Sequence, residues 1–468
     1  MTEPRRPGDL LGIDLGTSSC KVLVRHADGS IEKGKATYTE ESPDAWWEAV
    51  KAALRTVDCR AVTAVGLSAQ TGTYVVNGKD VIGWRCTEGR ETLDRVRSSY
   101  TEETFLSEIA MPQPPLVSYP IPRLLYIKER YGTVTSVCQP KDEIVRRLTG
   151  NLVSDYYTWR GLADPKTARY SAFFLGELGI DPEVLPPLLS PTSLAGRIHR
   201  DVSLETGIPE NTEVYLGMND FYASIVGMGI IDGGTFDITG TSEHLGVIED
   251  TIAHGTPLVS SPYFDRFVQY GVTASGGASL DLVARELGDL PASSDDPAYF
   301  LERKPPIYLP YLRGERAPIF DGEATGAFFG MTAGTTREDM AYAVCEGVAF
   351  SLYHIYETMG CKNSGDRVTV SGGASRLPLL SRVKAELFGK RFVALAENDT
   401  SALGAVMAAG VGGGAFGSYA AAAEECVKDG ECFEPSGGLR EALMRRYEIY
   451  KRLYPILKDE MHAFRREI

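Results

Sequence analysis

"DITGTSEHLGVIEDT" (residues 237–251) repeats in part "DLGTSSCKVLVRHAD" (residues 14–28). Gly16-Thr17-Ser18 and Gly240-Thr241-Ser242 each lie between two apolar runs and stand 224 residues apart. The same strand-turn-strand element at the start of a chain and again past its midpoint indicates two similarly built domains facing each other across a cleft. Clefts between domains are where ligands bind. The boundary is placed between residues 229 and 230, giving domains of residues 8–229 and 230–468.

Around the first copy, residues 10–15 and 20–25 are short apolar runs, and "HADGS" carries the Asp-Gly signal of a hairpin turn before Ile31, which predicts a meander. In "SPDAWWEAVKAALRTV", Ser42 is a candidate N-cap and Pro43 the first helical position. Trp46, Val50, Ala53, Leu54 and Val57 then share one helical face. "AVTAVGLSAQ" reads as a strand ending in polar residues, and "TYVVNGKDVIGW" as two runs joined by Asn77-Gly78. Strands and helices alternate from there, so the fold class is α/β.

A tight Gly-Thr-Ser turn presents backbone N–H groups and hydroxyls outward, a concavity suited to an anionic oxygen. Two such turns could grip one polyphosphate from both sides. Asp14, ending the strand that leads into the first turn, would face the same cleft, where a carboxylate beside phosphates is tolerated chiefly with a divalent cation between them. The simpler reading makes Gly16 and Gly240 hairpin glycines and Asp14 a turn residue; the repetition favours the phosphate reading. A third glycine cluster, "VTVSGGASRLPLLSRVKAELFG" (368–389), reads as a strand, a Gly-Gly-Ala turn and an amphipathic helix with Pro378 in its first turn. There Gly372 and Gly373 would allow close approach of a nucleotide's base or ribose. Asp220, at the start of a helix within "VYLGMNDFYASIVGMGI" (214–230), is the candidate base, with a helix cap as the other reading.

Composition limits what the ligand can be. At 468 residues the chain exceeds what one core organises, and 43% hydrophobic residues suffice for two. Forty-eight basic against 63 acidic residues leave a net charge of -15, which argues against nucleic acid or an anionic membrane held by bulk attraction. "MTEPRRPGDL" lacks a signal peptide's apolar stretch, and "SALGAVMAAGVGGGAFGSYAAAA" is too rich in Gly and Ala to span a bilayer, so a soluble, cytoplasmic protein is expected. Eight scattered cysteines without a CxxC pair, and six histidines outside metal-ligand spacing, support neither structural zinc nor a disulfide framework. "HRDVSLET" followed by "DFY" imitates a protein kinase's catalytic loop and metal triplet, but Thr206 replaces the needed Asn and Tyr222 the Gly. No P-loop and no GxSxG elbow is present.

These stretches together resemble the FGGY carbohydrate kinases, sugar kinases of actin-like (ribonuclease H-like) fold. The resemblance is carried in family order by "GIDLGTSSCKVLV", "DAWWEAV", "LAGRIHRDVSLETGIPENTEVYLGMNDFYASIVGMG", "YLPYLRGERAPIFD", "GAFFGMT", "VCEGVAFSLYHIYETM", "VSGGASRLPLL" and "TSALGAVMAAG". It implies ATP-dependent phosphorylation of a hydroxyl on a sugar, ketose or polyol. Asp220 matches the catalytic base, which takes the proton as the hydroxyl attacks the γ-phosphorus. Asp14 matches the aspartate placed near Mg²⁺ and the γ-phosphate. Thr17, Ser18 and Ser19 match the first phosphate loop, Gly240 and Thr241 the second, and Lys21 would add charge there. Gly277, Gly373 and Ala374 match the nucleotide pocket, while the Asn that some relatives carry four residues after the second glycine is Leu377.

On the acceptor side the resemblance implies Gln70, Thr71, Gly72, Trp84, Arg85 and Phe221 beside Asp220. "AQTGT" puts Thr71 and Gly72 where xylulokinases of the family have a Met-His pair. The family's W-N-D-x-R element appears as "WRCTEGR" (84–90), with Arg85 or Glu88 as compensating groups. "Kinase of a sugar-like substrate" is therefore the expectation, not a particular sugar. Substrate is expected on the first domain, ATP mainly on the second, and closure to exclude water. A homodimer has analogy with relatives behind it. Two rivals share the fold: an actin-like ATPase of the heat-shock chaperone type, echoed by "GIDLGTSSC" and "GGTFDITG", and a non-catalytic sugar sensor. Against the first, "LREALMRRYEIYKRLYPILKDEMHAF" reads as a closing helix, not a peptide-binding module; against the second, both aspartates are retained. "GERAP" (314–318) reads as a solvated polar loop, with support of the interdomain surface as the other reading and no catalytic role for Glu315 or Arg316.

Overall fold

The computed structural model describes residues 8–286, 288, 296–360 and 365–467. Its contacts divide the chain into two units. The first comprises Met1–Ile231 with Ser261–Asp265 and Asp399–Val427, and the second the remainder. The expected boundary at 229/230 is a single cut, whereas the contacts change unit after Ile231 and return two later segments to the first unit.

The first unit is organised by a six-stranded sheet in the order Leu194–Arg197, Glu213–Asn219, Val62–Ala69, Asp9–Leu15, Ser19–Arg25, Ile31–Thr37. Asp9–Leu15 and its two successors form the expected antiparallel meander, the last turn closed by His26 N donating to Ser30 O at 2.9 Å. Val62–Ala69 runs parallel to Asp9–Leu15, and Glu213–Asn219 parallel to Val62–Ala69. The second unit repeats this plan. Arg266–Val272, Glu243–Glu249 and Gly234–Thr239 form an antiparallel meander, followed by parallel Arg367–Gly372 and Arg391–Leu395 and antiparallel Asp429–Phe433.

The alternation of side chains along Asp9–Leu15 explains why glycine and an acid interrupt it. Leu11, Ile13 and Leu15 point into the core shared with Trp46, Val50 and Leu54 of the helix Pro43–Leu54, which Ser42 caps as expected. Gly12 and Asp14 point to the opposite face. There the helix Thr400–Gly412 lies so close that a Cβ on Gly12 would stand 2.1 Å from Ala402 O, and one on Gly66 1.9 Å from Ala405 O. The Gly/Ala-rich stretch is thus a helix pressed directly onto a sheet backbone. Among the described residues no helix is long and apolar enough to cross a membrane.

Candidate active site

Asp14 is two residues beyond Gly12 on the same face and is only 6% exposed. Its carboxylate accepts from Ser68 Oγ at 2.8 Å, from the neighbouring strand, and from Ser401 Oγ at 2.5 Å, in the first turn of the glycine-apposed helix. Burial raises its pKa, opposed by those two hydroxyls and by the Lys21 charge. Asp14 is therefore a strand residue, not the turn residue of the simpler reading.

The turn that follows is held by Gly16 N donating to Ser19 O at 2.9 Å, Tyr38 N donating to Ser18 O at 3.0 Å, and the Tyr38 hydroxyl donating to Gly16 O. Ser18 is exposed, and Thr17 and Ser19 are half-buried. Thr17 Oγ1 accepts from the Trp84 indole N–H at 3.3 Å, which ties an expected phosphate residue to an expected acceptor residue. Lys21 Nζ pairs with Asp399 Oδ1 at 2.7 Å, and Lys33 Nζ with Asp399 Oδ2 at 3.0 Å.

Asp220 begins the helix Asp220–Gly227, but the cap is Asn219, whose Oδ1 accepts from Tyr222 N at 3.2 Å. Asn219 also donates to Tyr157 O at 2.6 Å. The capping reading of Asp220 thus fails for the simple reason that its neighbour does the capping. Asp220 is left half-buried, its Oδ1 accepting from Phe221 N at 2.8 Å. Burial, then the Asp14 charge, pushes its pKa up to about 7, against the Phe221 N–H and the Arg160 charge. The strand leading there is bulged at Gly217, where φ is +62° and a Cβ would stand 1.7 Å from Leu67 O. Arg160, which no sequence motif marks, sets its guanidinium 5.4 Å from the Phe221 ring centroid and 5.6 Å from that of Tyr222.

On the acceptor side, Gln70 is 3% exposed and, among the described residues, neither atom of its side-chain amide has a hydrogen-bond partner. Thr71 Oγ1 and Gly72 N instead both donate to Gln139 Oε1, at 3.1 and 3.0 Å. Those two positions are bound to the scaffold through a glutamine that lies 68 residues from Thr71. Trp84 packs beside Gly72, and Arg85 is exposed with its guanidinium 5.0 Å from the Trp84 ring centroid. Glu88 is not a compensating group: it is engaged with the Tyr126 hydroxyl and Arg130 on the surface.

In the second unit, Gly240 and Thr241 form the exposed turn between Gly234–Thr239 and Glu243–Glu249. Gly277 N donates to Gly240 O at 3.0 Å, and a Cβ on Gly277 would stand 2.2 Å from that oxygen. Its glycine is thus required by packing on the turn. Gly372 has φ +90° and would place a Cβ 1.9 Å from Thr239 O, whereas a Cβ on exposed Gly373 meets nothing within 4 Å. Ala374 is half-buried, and Leu377 N-caps the helix Pro378–Phe388 without a side-chain bond. We expect Gly372→Ala to lower the melting temperature sharply and Gly373→Ala to leave it unchanged, as differential scanning fluorimetry would show.

The solvated-loop expectation for "GERAP" is overturned. Glu315 is 4% exposed, accepts from Ala274 N at 2.6 Å, Arg316 N at 2.8 Å and Ser351 Oγ at 3.1 Å, and is pushed up to about 7 by burial. Polarity in sequence marked a buried tether here.

Residues 10–227 match the N-terminal domain of the FGGY family of carbohydrate kinases, and residues 238–413 its C-terminal domain. The chain belongs to that family. The FGGY kinase is 27% identical to a xylulose kinase of Bacillus subtilis, over 96% of this chain and 97% of that one. A gluconokinase of Bacillus licheniformis is 25% identical over 85% and 86%. Among solved structures, the ligand-bound xylulose kinase of Lactobacillus acidophilus superposes with a TM-score of 0.84 at 23% identity, covering 97% and 99%. The glycerol kinase of Plasmodium falciparum with ADP gives 0.80 at 16%, covering 96% and 98%. These superpositions establish the actin-like fold, and the duplicated strand order is its internal signature. The FGGY kinase is accordingly an enzyme that phosphorylates carbohydrate.

Proposed function

We propose that this kinase transfers the γ-phosphoryl group of ATP to a hydroxyl of a sugar, ketose or polyol, with Asp220 as general base. The observation that carries the reading is the Asp220 carboxyl, excused from capping by Asn219 and pushed up to about 7, so that it can accept a proton near neutral pH. In the transfer, the acceptor oxygen bonds to the γ-phosphorus and the bond from that phosphorus to the β–γ bridging oxygen breaks. The electron pair leaves with ADP, and the hydroxyl proton passes to Asp220. Thr17, Ser18 and Ser19 in the first unit, with Lys21, and Gly240 and Thr241 in the second, are assigned to the phosphates. Gly277, Gly373 and Ala374 are assigned to the nucleoside.

Among the described residues no three His, Cys, Asp or Glu side chains are grouped to hold a metal ion. That suits Mg²⁺ carried by phosphates, which needs only one or two carboxylates from the protein. Asp14 fits that role, since its two serine bonds leave lone pairs on both oxygens. Mg²⁺ there would neutralise charge developing on the phosphates. The names of the relatives, xylulose kinase and gluconokinase, put ketoses and sugar acids at the head of the acceptor panel. An ATP-consumption assay with Mg²⁺ across ketoses, aldoses, polyols and sugar acids tests the proposal. Acceptor-dependent ADP release is expected; release that is equal with and without every acceptor contradicts it.

A further inference from the structure

Two successive carbonyls of the first unit, Tyr157 O and Thr158 O, are each held by one of the segments that the transfer needs. Asn219 Nδ2 donates to Tyr157 O at 2.6 Å, while its Oδ1 caps the helix that begins at Asp220. Gln139 Nε2 donates to Thr158 O at 2.7 Å, while its Oε1 accepts from Thr71 Oγ1 and Gly72 N. The turn carrying the two carbonyls is itself fixed. Asp155 Oδ1 accepts from Tyr157 N at 2.8 Å and Thr158 N at 3.1 Å, and Oδ2 accepts from Thr158 Oγ1 at 2.5 Å and pairs with Lys141 Nζ at 3.0 Å. Asp142 Oδ2 accepts from Gln139 N at 3.0 Å, so the glutamine's backbone is anchored as well. Gln139, Lys141, Asp142 and Asp155 are all buried.

We infer that Gln139 is the positioning residue of the acceptor site: through the 155–158 turn it sets the 70–72 loop at a fixed distance from Asp220, so that acceptor hydroxyl and base meet in one geometry. The inference rests on the assignment of that loop to the acceptor and of Asp220 to the proton. Being buried, Gln139 acts through Thr71 and Gly72, not on the acceptor itself. Gly72 N can only donate and Thr158 O can only accept, so the residue between them must offer one acceptor and one donor. A side-chain amide does. An ionised carboxylate has no donor, and a thioether of like length has no donor and only a weak acceptor. Losing the link frees the loop to shift, and a displacement of about 1 Å in a reacting pair costs about 100-fold in rate.

The test uses the full chain with ATP, Mg²⁺ and whichever ketose, aldose, polyol or sugar acid of the panel above is turned over fastest. Gln139→Met is expected to lower kcat/KM for that acceptor by roughly 100-fold while the KM for ATP holds. Gln139→Glu separates positioning from packing, because a protonated carboxyl has the donor and acceptor of the amide it replaces. At pH 5.5 it should stand about 10-fold above Gln139→Met, the worth of a restored buried hydrogen bond. The charged groups around position 139, Lys141 and Asp142 on its own helix and Asp155 on the 155–158 turn, are common to both variants, as is the Asp220 limb. Thr71→Val, on the half-buried loop, keeps the test independent of the core: it should lose about 10-fold alone and far less in the Gln139→Met background, since that bond is already gone. Gln139→Met or Thr71→Val at wild-type kcat/KM, Gln139→Glu no better than Gln139→Met at pH 5.5, or fully additive losses in the double variant would each overturn the inference. Failure of the underlying reading looks different: Asp220→Asn would then keep wild-type turnover.

Discussion

Asp220→Asn is expected to lower kcat for phosphoryl transfer by ~10²–10⁴-fold, the range a positioned general base contributes. The substitution isolates chemistry because the fold does not depend on the charge. Asn219 supplies the cap, and an amide oxygen at residue 220 can still accept from Phe221 N. The KM for ATP and the melting temperature should therefore stay near those of the wild type. In the wild type, the base works only when ionised, and with its pKa pushed up to about 7 its kcat/KM should climb as pH rises through that value and level off above it. The residual activity of the variant should lack that limb. A coupled assay from pH 5.5 to 8.5 reads both quantities. A variant within about 10-fold of wild-type kcat, or one that keeps the limb, removes Asp220 from the role.

Asp14 is legible in the sequence because an acid in an apolar strand is costly to bury, and one placed directly ahead of Gly-Thr-Ser marks a site that tolerates the cost. Its serine partners are not legible, since Ser68 and Ser401 stand 54 and 387 residues away and no local pattern links them. Asp220 is findable as a polar residue at a strand-to-helix junction. Whether it or Asn219 caps the helix depends on a one-residue phase that pattern alone leaves open. Arg160 sits in "DYYTWRGLADP", where no spacing distinguishes a site arginine from a surface one. Glu315 shows the reverse error: Gly-Glu-Arg reads as solvent-facing because charge normally does, yet the backbone N–H groups of Ala274 and of neighbouring Arg316, with the Ser351 hydroxyl, make burial tolerable.

The fold was more accessible than the site for a physical reason. Hairpins carry their signal locally, as in the positive φ of Asn77 and Gly78 between Tyr74–Val76 and Asp80–Ile82. The repeated turn then implied a duplicated sheet, and both sheets do share one strand order. The return of Asp399–Val427 to the first unit has no such local mark. Its Gly and Ala content is a response to Gly12 and Gly66, which lie 390 and 339 positions before Ala402 and Ala405, the residues they face. Small residues in sequence say that something approaches closely without saying what.

The repeat also conceals a difference that yields the largest expected stability effect. Aligning the two turns places Asp14 opposite Ile238, so the neighbouring Asp237 points to the other face of its sheet. There it is buried with Glu243, and Lys384 Nζ reaches both, at 2.7 and 2.5 Å. One ammonium serves two carboxylates, and among the described residues Asp237 Oδ1 and Glu243 Oε2 have no hydrogen-bond partner. Lys384→Ala, or volume-preserving Lys384→Met, is expected to destabilise the protein by about 3–5 kcal/mol, the penalty for stranding buried charge. Burial raises both carboxyls, Glu243 from an ordinary 4.5 to about 7, with Lys384 holding them down. A carboxyl raised on folding binds more protons in the folded state, so its contribution is present at low pH and lost as pH climbs through 4.5–7. Removing the lysine raises both carboxyls further and extends that window upward. Urea unfolding followed by fluorescence should therefore show a deficit that is larger at pH 8 than at pH 5.5, because protonation neutralises the stranded pair. Equal stability at pH 8, or a deficit that grows on acidification, would show that the lysine is not what makes the buried pair tolerable.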